Sequence, residues 1–126
     1  MVSPSRIKIA TILCVDDEPK ALSVRRLLLE SAGYQVATAL SGEEGIQIFK
    51  SQAVDAVIMD YWLLGMDGIQ TARELKRINP AIPIIVLSAL TELPGESIGA
   101  ADRWFLKGDD PAYLLNAIKT MLESRS

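Results

Sequence analysis

The sequence predicts an α/β fold: a doubly wound, five-stranded parallel sheet with helices on both faces. Two observations predict it. Short apolar runs rich in β-branched residues alternate with stretches of helical character, the pattern of successive β-α units. The runs are also nearly continuous rather than alternating, as expected of strands buried on both sides. The 126 residues fit one domain with no room for a second of ordinary size, and a chain this long buries a full core without staples.

The first strand is KIATILCV, residues 8–15. Pro19 suits the first turn of a helix over about 19–32, and Gly33 suits its end. YQVATA, residues 34–39, is the second strand. Ser41 and Glu44 are spaced as a capping box, so a helix is expected over about 42–52. DAVIMD (55–60) is the third strand, DGIQ (67–70) opens a helix that ends near Asn79-Pro80, and IPIIVLSA (82–89) is the fourth strand. RWFLK (103–107) is the fifth. Asp110-Pro111 opens a last helix with Leu114, Ile118 and Met121 on one face. Between strands four and five lies LTELPGESIGAA (90–101), where Pro94-Gly95 makes a poor helix interior; only a short fourth helix, starting after Gly95, is expected. The ordered core is expected over about 7–123, with 1–6 and 124–126 as tails.

Composition narrows the chemistry. Hydrophobic residues are 49% and charged residues 23%, ordinary for a soluble globular protein. A net charge of -3 gives no electrostatic reason to expect binding to nucleic acid or an anionic membrane. There is no histidine, which excludes Ser-His-Asp catalysis, histidine general bases and histidine-ligated zinc. The single cysteine, Cys14, sits in an apolar run and reads as a buried structural thiol. The opening residues lack a signal-peptide pattern and no run reaches membrane-spanning length, so a cytoplasmic location is expected.

In a parallel α/β sheet, ligands bind beyond the carboxyl ends of the strands. Strand one ends in Asp16-Asp17, strand three in Asp60, strand four in Ser88-Ala89 and strand five in Lys107. Each has a plainer role taken singly: a helix cap for Asp16 or Asp17, a turn bond for Asp60, a loop hydroxyl for Ser88, a solvated charge for Lys107. Together on one edge they form a constellation. Three close carboxylates resist full ionisation, and a hard divalent cation relieves that. A lone ammonium at the end of an inner strand needs a negative partner. A carboxylate beside a metal and a lysine can itself attack phosphorus and form an acyl phosphate. Phosphoryl transfer rests on positioning and charge neutralisation, so the missing histidine is no obstacle.

At these residues the chain strongly resembles the receiver domain of bacterial two-component response regulators, over about residues 7–123. The matching stretches are LCVDDEP (13–19), DAVIMDYWLLGMDG (55–68), IIVLSA (84–89) and FLKG (105–108). The resemblance implies the sheet order 2-1-3-4-5. It implies that Asp60 accepts a phosphoryl group from a phosphohistidine on a sensor histidine kinase or histidine phosphotransfer protein. Asp16, Asp17, Asp60 and the backbone carbonyl of Trp62 would hold Mg²⁺ (or Mn²⁺). Ser88 and Lys107 would bind phosphoryl oxygens, Ala89 would leave the phosphoryl pocket open, and Ser88 with Trp104 would form the switch. Having no histidine and no G-x-x-x-x-G-K-[ST] loop, the chain would receive its phosphoryl group from a partner or a small acyl phosphate.

The chain departs from the family pattern at four places. Leu64 replaces the usual Pro after the acceptor. Gly108 replaces the Pro after the Lys, so the bond from Lys107 should be trans. The segment from Ser88 to Lys107 is shorter by about one helical turn, so the standard dimer through helix 4, strand 5 and helix 5 is not expected, and a monomer or weak dimer is. Trp62 and Leu90 stand where side chains flank the phosphoryl group and could hinder an attacking water. Two other functions compete: a degenerate receiver that binds a partner without phosphorylation, and a Mg²⁺-dependent aspartyl phosphatase. The second lacks its acid/base, because Trp62 stands two residues after Asp60. The expected partners are a kinase or phosphotransfer protein and a downstream effector, with no direct contact to nucleic acid or membrane.

Overall fold

The structure, a computed structural model, describes residues 9–61, 63, 67–89 and 99–124. The chain alternates β1 (Thr11–Val15), α1 (Pro19–Ser31), β2 (Gln35–Ala39), α2 (Gly42–Ser51), β3 (Ala56–Asp60), α3 (Gly68–Ile78), β4 (Ile84–Ser88), β5 (Arg103–Leu106) and α4 (Pro111–Glu123). The strands form one parallel sheet in the order β2-β1-β3-β4-β5. This is the expected order, and it places the switch point of the winding between β1 and β3.

Strand alternation divides the core into two layers. Leu13, Val15, Val57, Met59, Ile84 and Val86 face Ile46 of α2 and Ile69, Ala72 and Leu75 of α3. Ile12, Cys14, Ala56, Ile58, Ile85 and Leu87 face Leu22 and Leu29 of α1 and Leu114, Ala117 and Ile118 of α4. β1, β3 and β4 are thus buried on both sides, and each fully buried large apolar side chain contributes about 1.5–3 kcal/mol.

The helix starts follow local chemistry. Pro19 begins α1, and Gly33 follows its end at φ 98°. Ser41 caps α2 by accepting the Glu44 N–H at 3.1 Å, and the Glu44 carboxylate accepts from the Leu40 N–H, one residue before the reciprocal partner a capping box would use. Asp67 and Gln70 form the complete reciprocal box at α3. Asp110 accepts the Ala112 N–H at 2.9 Å and Pro111 opens α4.

Six expected strand boundaries shift inward; β2 begins at Gln35 rather than Tyr34 and β3 at Ala56 rather than Asp55. β1 begins at Thr11, not Lys8, because its ladder with β2 begins at the Thr11–Gln35 pair. There Asp55 closes the strand start by accepting the Thr11 N–H at 2.8 Å. β4 begins at Ile84, after Pro83, which has no N–H to give a ladder. It ends at Ser88 rather than Ala89. β5 ends at Leu106, and Lys107 lies in the following turn, though its N–H still donates to the Ser88 carbonyl at 2.9 Å. The expected short fourth helix falls on residues 90–98, outside the described residues; residues 99–100 form a turn with Gly99 at φ 89°.

Candidate functional site

Asp16 follows β1 directly and Asp60 ends β3, so both flank the switch point at the carboxyl edge of the sheet. By alternation Asp16 continues the face of Ile12 and Cys14, and Asp60 that of Ala56 and Ile58. Asp16 is fully buried and Asp60 is 4% exposed. One carboxylate oxygen from each of Asp16, Asp17 and Asp60 lies within 4.8 Å of the others. An all-oxygen set of this charge suits a hard divalent cation of the Mg²⁺ type. Asp16 and Asp17 are not the cap of α1. That position is Glu18, whose N–H donates to Asp16 Oδ1 at 3.0 Å, and Glu18 makes no side-chain cap.

Lys107 has the partner its position demands. Its Nζ donates to Asp60 Oδ2 at 2.7 Å and lies 3.7 Å from Asp16 Oδ2. Burial alone would push its pKa down, but the hydrogen bond to Asp60 and the charges of Asp60 and Asp16 outweigh that and raise it above the ordinary lysine value. The ammonium is therefore held in its charged form across the neutral range. The Lys107–Gly108 bond is trans, as expected, since no described peptide is cis.

Ser88 is 2% exposed at the end of β4. It lies two residues beyond Val86 and so shares its face, towards α2 and α3. Trp104, paired with Val86 in the β4–β5 register, packs half-buried against that same layer. Its ring lies 6.4 Å from the Tyr61 ring, inclined at 54°, a tilted aromatic contact. Tyr61 directly follows Asp60, so an aromatic contact joins the residue after the carboxylate to the β5 edge. Ala89 is exposed just past β4. Trp62, Leu64 and Leu90 lie outside the described residues.

The structure adds a residue that the sequence reading did not single out. Arg25 of α1 places Nη1 3.3 Å from Asp16 Oδ2, with its side chain only 11% exposed. A signal for it exists in the sequence. Leu22, Arg25 and Leu29 are spaced i, i+3, i+7 on one helix face, and both leucines are buried. A cation on a core-facing stripe needs an anionic partner. The neighbouring Cys14 thiol is pushed up to about 12, first by burial, with Arg25 opposing and Asp16 reinforcing the shift. It is an inert thiol beneath the site.

Residues 12–119 match the family model for the response regulator receiver domain. Among curated proteins, the chain is 37% identical over 120 residues to the transcriptional regulatory protein GlrR of Escherichia coli K12. It is 38% identical over 82 residues to ZraR of the same organism. The GlrR match covers 92% of this chain but 27% of that protein, so the chain spans about a quarter of such relatives. Among solved structures, a receiver domain protein from Clostridium thermocellum superposes with a TM-score of 0.85 at 30% identity, covering 93% of this chain and 97% of that one. Response regulator TrrA of Thermotoga maritima, solved in complex with Mg²⁺-BeF, superposes with a TM-score of 0.85 at 32% identity, covering 90% and 99%. An α/β sheet wound in this order, with three acids and a lysine gathered at its carboxyl edge, and a family match over nearly its whole length together place the chain: it belongs to the response regulator receiver domains of two-component signalling systems.

Proposed function

We propose that Asp60 is the phosphoacceptor of this receiver domain, and that phosphorylation switches a protein-interaction surface. The observation that carries this reading is the buried Asp60 carboxylate, held at 2.7 Å by Lys107 within the Asp16–Asp17–Asp60 cluster. The pairing compensates the Lys107 charge at rest and leaves an ammonium beside the place where new negative charge would appear. In the transfer, an Asp60 oxygen attacks phosphorus and the P–N bond of a phosphohistidine breaks. Its electron pair returns to the donor imidazole, and a mixed carboxylic-phosphoric anhydride forms on Asp60.

Asp16, Asp17 and Asp60, with the Trp62 carbonyl, would hold Mg²⁺ or Mn²⁺. When bound, the ion neutralises charge on the phosphoryl oxygens. Lys107 pairs with one such oxygen, and the Ser88 hydroxyl donates to another. Ala89, with its small side chain, leaves the phosphoryl pocket open. Ser88 and Trp104 share one face of the sheet, so movement of Ser88 has a direct route to the Trp104–Tyr61 contact. The domain acts as a signalling switch rather than as an enzyme turning over a substrate. Its donor is a sensor histidine kinase or histidine phosphotransfer protein, its readout an effector protein or domain, and its place the cytoplasm. The Mg²⁺-BeF complex of the related TrrA supports the metal and acceptor roles.

Tryptophan fluorescence tests this. Mg²⁺ and then beryllium fluoride, or a small acyl phosphate, should each change the emission of the wild type. Asp60→Ala should lose the response to the second addition. A wild type that responds to neither, or an Asp60→Ala variant with the full response, would reject Asp60 as acceptor.

A further inference from the structure

We propose that Arg25 is a built-in counter-cation of the acidic site, competing with a divalent cation for Asp16 and so setting the affinity of that cation. The inference rests on the reading of Asp16, Asp17 and Asp60 as a divalent-cation site. The Arg25 guanidinium occupies Asp16 Oδ2 at 3.3 Å, the same oxygen that Lys107 approaches at 3.7 Å. The other Asp16 oxygen accepts the Glu18 N–H at 3.0 Å. Both oxygens of this fully buried carboxylate are therefore engaged before any ion arrives. Lys107 already has a shorter bond, to Asp60 at 2.7 Å, so Arg25 is the cation committed to Asp16. Three carboxylates facing two protein cations leave one net negative charge. That is one less than a lone lysine would leave, and a divalent ion is correspondingly less strongly drawn in.

The guanidinium also has somewhere to go. Arg25 and Lys107 line a cavity of about 460 Å³ between α1 and α4, and the acidic residues Glu18, Asp109 and Asp110 line it too. An arginine displaced from Asp16 can swing outward along its own helix face towards these acidic residues. The displaced cation remains near the site, where it favours an incoming anion. Arg25 thus weakens the resting metal site while its charge stays close to it.

Calorimetric titration with Mg²⁺ alone tests the proposal, on wild type, Arg25→Leu, Arg25→Lys and Asp17→Asn. Losing one charge-assisted bond to the buried Asp16 carboxylate predicts that Arg25→Leu binds Mg²⁺ at least about tenfold more tightly, with Arg25→Lys in between. Thermal unfolding provides the second readout. Arg25→Leu should melt below wild type in EDTA and regain the deficit at saturating Mg²⁺, because ligand linkage then favours the variant. Equal or weaker Mg²⁺ affinity in Arg25→Leu, or the same melting deficit with and without Mg²⁺, would reduce Arg25 to a structural ion pair and overturn the proposal. Failure of wild type to bind Mg²⁺, or unchanged binding in Asp17→Asn, would instead overturn the metal-site reading, and the proposal with it.

Discussion

Replacing Gly68 by alanine tests how the acceptor strand is held against the helix that follows it. Gly68 is the first residue of α3, and its N–H donates to the Tyr61 carbonyl at 2.9 Å. That bond draws the helix start against the chain as it leaves Asp60. A Cβ added there would lie 2.5 Å from the Asp60 carbonyl oxygen and 3.0 Å from both the Tyr61 Cα and the Tyr61 carbonyl oxygen. All three are backbone atoms, so no rotamer can yield. Its φ is not positive, so the requirement is for space and not for a glycine-only conformation. Restoring an ordinary contact of 3.4 Å means separating α3 from the end of β3 by about 0.9 Å. Overpacking of this kind costs roughly 1–3 kcal/mol. The alanine gains back roughly 0.5–1 kcal/mol from helix propensity and a less free unfolded chain. The net expectation is a loss of about 1–2 kcal/mol, or roughly 4–8 °C in melting temperature for a domain of this size. Because the shift moves the Asp60 backbone, the response to beryllium fluoride should also weaken. Gly108→Ala is the control. Its Cβ meets nothing within 4 Å and its φ is not positive, so it should be neutral or stabilise by about 0.4–1 kcal/mol. Urea unfolding of the two variants checks both signs. A Gly68→Ala variant as stable as Gly108→Ala would refute the argument from close approach.

Three further outcomes follow from other contacts. Lys107→Met should destabilise the metal-free protein by about 1–2 kcal/mol at neutral pH, by depriving buried Asp60 of a charge-assisted bond. The folded-state pKa of Lys107 is raised, so its stabilisation is complete below the ordinary lysine value and is lost as pH rises through the raised one. Guanidinium unfolding across the alkaline range, carried out in a Cys14→Ala background, should show this loss with Lys107 present and not in Lys107→Met. Cys14 titrates in an overlapping window: its thiol ionises near 9.0 when unfolded and at about 12 when folded, so its contribution to stability should fall by roughly 1.4 kcal/mol per pH unit between those values. Cys14→Ala should remove that slope, and native Cys14 should resist alkylation at neutral pH. Asp102 accepts the Ile84 N–H at 2.7 Å and Lys76 Nζ at 2.8 Å, joining α3 to the starts of β4 and β5. Asp102→Ala should lose about 1–3 kcal/mol, mostly from the orphaned N–H. A double-mutant cycle with Lys76→Met should then return a coupling below about 1 kcal/mol, because the pair is partly exposed.

Much of the architecture is local and was legible residue by residue. Each strand is a largely apolar run, buried in the inner strands β1, β3 and β4 and only part-buried in the edge strands β2 and β5, and each helix start is written within four residues: Pro19 for α1, Ser41 for α2, Asp67 with Gln70 for α3, Asp110-Pro111 for α4. The strand ends were less so. Whether Lys107 extends β5 depends on the reach of the β4 ladder, and Pro83 trims β4 at its start through a hydrogen bond it cannot make.

The identity of the acidic edge also came from the sequence. A parallel sheet directs strand ends to one side, so Asp16, Asp17, Asp60, Ser88 and Lys107 had to converge wherever the strands fell in register. Tertiary structure alone decided which of them touch. The 2.7 Å bond from Lys107 to Asp60 spans 47 residues of chain, and the guanidinium of Arg25 reaches Asp16 only because α1 packs its Leu22–Leu29 face onto the sheet. Gly68 is the clearest case. In the sequence it is a residue after a cap; in the fold it is the one side chain too small to collide with the backbone of Asp60. Composition and spacing determine which groups reach an edge, because those are properties of single segments. Distance, charge compensation and free space belong to pairs of segments, and exist only once the chain is packed.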